Sequence, residues 1–224
     1  EWHELIGSKR GVLMELALSR LKTLSGGGLR IWGISATIGN MDEAAQVLLG
    51  KDYHDGYAFV RADVTKDIKV EPIVPTDIED FPWAGYYGLY LFKEVIDVIN
   101  KGTSTIVFTN TRAMCEKWYQ QLLAADESLA GQIAMHHGSI SREIRDWVEQ
   151  ALYDGKLKAV VSTSSLDLGV DFRPVENVIQ IGSPKGVART MQRAGRSGHQ
   201  PGALSTIYFV PTHALELIEA AALR

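Results

Sequence analysis

The chain has 224 residues, 46% of them hydrophobic and 22% charged, enough for one large domain or two small ones around a packed apolar core. A formal net charge of −4 excludes a basic coat spread over nucleic acid and leaves only a local basic cleft. The single cysteine, Cys115, excludes an internal disulfide and no Cys/His cluster has zinc spacing, so a reducing compartment, the cytoplasm, is expected; no run reaches the roughly 20 apolar residues of a membrane span.

Leu13, Leu16, Ala17, Leu21 and Leu24 form the first helical stripe, followed by a glycine loop at Gly26–Gly28. A strand-like run follows at Leu29–Ser35, and Asn40 with Glu43 reads as a capping pair at the start of another helix. Tyr57–Ala62 is the next strand-like run. Between Arg61 and Trp83, Pro72, Pro75 and Pro82 mix with acidic residues and no stripe persists, which places a boundary between residues 1–66 and 67–224. Further strands are expected at Thr105–Thr109, Ala159–Thr163, Val178–Gly182 and Thr206–Val210, all nearly continuous in apolar character, as strands buried on both faces are. Stripes at Cys115, Trp118, Tyr119 and Leu122, and at Ile144, Trp147, Val148, Ala151 and Leu152, predict helices between them. Alternating strands and helices joined by short connections predict an α/β fold with parallel sheets covered on both faces.

The segment from Thr190 to His199 is the most informative. A helix beginning near Val187 puts Arg189, Arg193 and Arg196 at i, i+4 and i+7, on one face. Guanidinium groups gathered without carboxylates repel one another unless an anion sits between them, and phosphate fits their planar fork. A solvated basic helix is the plainer alternative. Val160 to Asp171 reads as a buried strand entering a hydroxyl-rich loop, where Thr163 and Ser164 stand at the sheet edge that binds ligands in parallel folds. Asp171 could accept a ribose hydroxyl or orient an arginine, although Ser and Asp also simply form turns. Ser35-Ala36-Thr37, Thr109-Asn110-Thr111-Arg112 and His136-His137-Gly138-Ser139 repeat this character at other strand ends. Each could be a helix cap, but together they suit a sugar–phosphate backbone held without base reading. His3-Glu4 lacks the second histidine of a zincin helix, and His136 and His137 point to opposite faces of a strand, so neither suggests a metal site. No Gly-x4-Gly-Lys-Ser/Thr phosphate loop occurs in the chain.

In this order the segments resemble the motif series of superfamily-two DExH-box helicases. Glu1-Trp2-His3 resembles the DExH box without its Asp, Ser35-Ala36-Thr37 the motif linking ATP and nucleic-acid sites, Thr163 to Asp171 motif five, and Gln192 to Arg196 the arginine-finger motif. The Glu-Trp-His-Glu-Leu opening, Ser-Ala-Thr-Ile-Gly-Asn and Gly198-His199 are similar to the Lhr-type family, nearest its ligase-associated bacterial form. His199 stands where many superfamily members have a third arginine. The resemblance implies the end of one RecA-like lobe followed by a complete second lobe, in an ATP- and Mg²⁺-dependent helicase.

By the same resemblance, Glu1 would activate the attacking water and His3 would couple the ATP site to the motor. Gln192, Arg193 and Arg196 would serve the γ-phosphate, Ser35 and Thr37 the link between sites, and Gly169 and Asp171 the ribose. Thr109, Asn110, Arg112, His137, Gly138, Thr163 and Ser164 would hold single-stranded DNA or an RNA–DNA duplex. The Mg²⁺-binding Asp and the phosphate loop would precede Glu1, so this chain alone should be inactive and should carry no metal ligand. A DNA-repair setting, 3′-to-5′ movement and ligase or nuclease partners are also implied. Two other readings remain: a non-catalytic nucleic-acid-binding α/β module, and a phosphate-handling enzyme with metal at Asp167 and Asp171.

Overall fold

The computed structural model describes residues 2–26, 28–35, 38–61, 67–74, 87–167, 175–198 and 204–222. Two compact units divide the chain, Glu1–Asp63 and Val64–Arg224. That division falls within residues 62–66, outside the described residues, and the expected boundary between residues 66 and 67 stands at their edge.

Among its described residues the first unit holds three α-helices: α1 (Trp2–Leu5), α2 (Lys9–Leu24) and α3 (Met41–Leu49). The start of α3 is capped as its sequence predicts, with the Glu43 amide donating to Asn40 Oδ1 at 3.2 Å and Asn40 Nδ2 donating to Glu43 Oε2 at 2.9 Å. Trp2 anchors α1: its indole N–H donates to the Ala44 carbonyl at 3.0 Å and its backbone N–H to the Ile34 carbonyl at 2.9 Å. The strands expected at Leu29–Ser35 and Tyr57–Ala62 are a correction. Their described residues have no sheet pairing, because a strand is completed by a neighbour's hydrogen bonds and no strand among the described residues lies beside them.

The second unit is built on β1 (Ile68–Pro72), β2 (Thr105–Phe108), β3 (Ile133–His136), β4 (Ala159–Ser162), β5 (Asn177–Ile181) and β6 (Ser205–Val210). Every pairing among them is parallel, in the order β1-β6-β5-β2-β4-β3. The helices are α4 (Phe92–Lys101), α5 (Arg112–Ala125), α6 (Arg142–Tyr153), α7 (Val187–Ala194) and α8 (Leu215–Ala222). Side chains alternate across a strand, so Ile106 and Phe108 enter one core with Val148, Leu152 and Ala194, while Val107 enters the other with Ile99, Trp118 and Leu122. Both faces are thus covered, and only the strand ends are left for function. One strand escaped the sequence reading, β1, an edge strand closed by Pro72; short β3 was expected only through its end at His136.

Candidate functional site

The loops leaving the carboxyl ends of β2, β3, β4 and β5 carry most of the expected residues. After β4 the chain makes a tight turn, Ser164–Leu166, and this loop is held at two points. At the first, Ser165 Oγ lies 2.7 Å from His136 Nδ1, whose Nε2 lies 3.0 Å from Glu149 Oε1 on α6. His136 is sealed from solvent, and that burial holds its imidazole below the ordinary histidine value despite Glu149. At the second point, Asp167 accepts from Arg193 Nε at 2.7 Å and from Nη2 at 3.0 Å, a two-pronged pair. Arg193 also donates to Gln180 Oε1 on β5 and lies 4.5 Å over the Phe108 ring.

These contacts revise the reading of the arginines. Arg193 is only 2% exposed and its guanidinium is committed to Asp167, so it holds α7 against the sheet and is not presented to a phosphate. Nor does the cluster lack a carboxylate. Arg189 Nε is 3.6 Å from Asp167 Oδ2, and Arg196 Nη2 donates to the Asp167 carbonyl at 2.7 Å. Among the described residues three guanidinium groups surround Asp167, and Arg189 and Arg196 are the half-buried members of the cluster. Gln192 is half-buried on α7. Asp167, bound in this way, is no metal ligand, and Asp171 and Gly169 lie outside the described residues. Among the described residues no group of three His, Cys, Asp or Glu side chains could hold a metal ion.

The candidate nucleic-acid residues divide likewise. Thr109 is fully buried, with its hydroxyl donating to the Ser162 carbonyl at 3.1 Å, so it ties β2 to β4 and does not face a ligand. Asn110 Nδ2 donates to the Ser183 carbonyl at 2.8 Å. Arg112 is exposed, pairs with Glu116 at 3.2 Å and donates to Ser139 Oγ at 3.2 Å. His137 is buried, its imidazole held down in pKa by burial, and it accepts from the Ser139 amide at 3.3 Å. Gly138 is exposed, with open space where a Cβ would stand, Thr163 is half-buried and Ser164 exposed. Arg112, Gly138, Thr163 and Ser164 therefore line the accessible edge. In the first unit His3 Nδ1 lies 2.7 Å from Ser35 Oγ, joining the two motifs expected to couple the sites; Glu1 and Thr37 lie outside the described residues. Glu149, Gln180 and Ser165 were missed by the sequence reading. Gln180, a lone amide in an apolar strand, was the visible clue.

Residues 90–200 match the model of the helicase conserved C-terminal domain. The chain is 39% identical to the ATP-dependent helicase Lhr-Core of Methanothermobacter thermautotrophicus over 204 residues, covering 89% of this chain and 24% of that protein. It is 33% identical to the Lhr helicase/uracil glycosylase of Escherichia coli, covering 99% of this chain and 17% of that protein. The solved structure of the Mycobacterium smegmatis helicase Lhr bound to single-stranded DNA and AMP-PNP superposes with a TM-score of 0.81 at 33% identity, over 100% of this chain and 29% of that one. The chain belongs to the Lhr-type helicases of superfamily two. It spans about a quarter of the length of the Lhr-Core relatives it matches. The all-parallel sheet of its second unit is the RecA-like sheet of Lhr-type helicases, and no described helix is long and apolar enough to cross a membrane.

Proposed function

We propose that the intact protein is an ATP-driven motor that moves along single-stranded DNA in a repair setting in the cytoplasm. This chain would supply part of a first RecA-like lobe, residues 1–66, and a complete second lobe, residues 67–224. One observation carries the reading: a single loop, Thr163–Asp167, offers hydroxyls to the accessible edge at one end and organises the arginine cluster at the other. A ligand that moves this loop shifts both places at once.

The arginines gathered around Asp167 suit a triphosphate, and bound ATP would supply the driving hydrolysis. Arg196, steadied by the Asp167 carbonyl, would meet the γ-phosphate, with Gln192 and Arg189 beside it, and Arg193 would keep α7 in place. Magnesium would be held by a carboxylate outside these residues, with Glu1 activating water, Gly169 and Asp171 at the ribose, and Ser35 and Thr37 linking the sites through His3. Arg112, Gly138, Thr163 and Ser164 would hold backbone phosphates or sugars, giving affinity that falls steeply with salt and reads little sequence. DNA ligase or nuclease partners suit such a setting.

The test is ATP turnover by the intact protein, with and without a single-stranded oligonucleotide. Oligonucleotide-stimulated hydrolysis is expected; oligonucleotide binding with no hydrolysis would leave a non-catalytic binding module.

A further inference from the structure

β2 and β5 are neighbours in the sheet, but the chain leaves β2 toward β4 and β3 and leaves β5 toward β6 and β1. Such a divergence is where open parallel sheets form their ligand crevice. Here the crevice is bridged. From the β2 side, Asn110 Nδ2 donates to the Ser183 carbonyl at 2.8 Å; from α8, Glu216 Oε1 accepts the Ser183 N–H at 2.7 Å. The other carboxylate oxygen, Oε2, accepts the Thr212 N–H at 2.6 Å and its hydroxyl at 2.9 Å, and His213 Nε2 lies 3.5 Å from Oε1. Glu216 is 5% exposed, so this carboxylate exchanges water for three donors fixed by the fold.

The loop that it grips leads directly into α7. Gly182 has φ 73°, and a Cβ there would stand 3.1 Å from Asn110 Nδ2 and 3.3 Å from Thr212 Cγ2, so glycine permits the close approach. Lys185 has φ 60°, a conformation that a side chain tolerates only when its surroundings impose it, and its amide is tied to Ser183 Oγ at 3.2 Å. The far end of α7 is fixed by Arg193 on Asp167. With both ends pinned, the helix follows whatever moves Ser183.

We propose that Asn110 and Glu216 are positioning residues that act through Ser183, relaying the state of the β2–α5 loop, and so of nucleic acid at Arg112, to the arginine helix. The proposal rests on the motor reading above. Glu216→Gln keeps the size of the side chain but sets an amide donor among N–H donors.

In the intact protein, ATP turnover is measured from zero to saturating dT oligonucleotide. For Glu216→Gln, stimulation by the oligonucleotide falls about tenfold, while oligonucleotide-free turnover and oligonucleotide Kd stay within about twofold of wild type. For Asn110→Ala, which also decides the matter if Glu216→Gln fails to fold, turnover at saturation falls and excess oligonucleotide does not restore it. Undiminished stimulation in Glu216→Gln, an equal loss with and without oligonucleotide, or recovery of Asn110→Ala with excess oligonucleotide overturns the relay. Absence of ATP turnover in the wild type defeats the motor reading instead.

Discussion

The loop after β4 is gripped by two side chains of opposite character. Ser165 is held by a histidine whose imidazole burial lowers below its ordinary value, and Asp167 by the two-pronged guanidinium of Arg193. The first grip can be loosened by protons; the second is a buried ion pair that fails when either partner is removed. One loop thus carries two grips of different chemistry, which separate substitutions can test one at a time.

The largest effect expected separates chemistry from scaffolding within α7 and its end. Arg196→Ala in the intact protein should reduce ATP turnover about 10³-fold or more while leaving its thermal midpoint nearly unchanged. Arg193→Ala should do the reverse in kind, costing about 3–5 kcal/mol in urea unfolding because buried Asp167 loses its two-pronged partner. If the two variants lose stability equally, the division between the arginines fails.

The neutral grip should be weaker. Glu149→Ala removes one partner of His136 and should cost about 1 kcal/mol. His136 and His137 both have folded pKa values below the ordinary 6.5, so the unfolded chain takes up protons first. Their contribution is therefore whole above pH 6.5 and lost as pH falls below it toward the folded values. Urea midpoints at pH 7.5 and 5.5 should show the loss, and Glu149→Ala should deepen it, since Glu149 favours the protonated form. Smallest of all, breaking the exposed Arg142–Asp146 pair should change stability by less than about 0.5 kcal/mol.

The sheet's interior was legible because strands covered on both sides must be apolar throughout, as Ile106–Phe108 and Val160–Val161 are. The edge strand β1 obeys a looser rule, with Lys69 and Glu71 on its open side, and it left no clear trace. At the site, spacing correctly drew attention to the arginines but could not rank them. Which of two guanidiniums three residues apart is sealed depends on Asp167, 26 positions from Arg193 in sequence and brought near only by the parallel crossover. Thr109 shows the same limit, since a hydroxyl at a strand end faces a ligand or a neighbouring carbonyl according to a register that the local sequence does not contain.

Cys115 lies between α5 and the sheet with no solvent exposure, its Sγ 3.1 Å from the Val161 carbonyl, and burial pushes its thiol up to about 12. A maleimide or disulfide reagent added at neutral pH should ignore it for as long as helix and strands remain together. The chain's one sulfhydryl thus records how often the second unit opens.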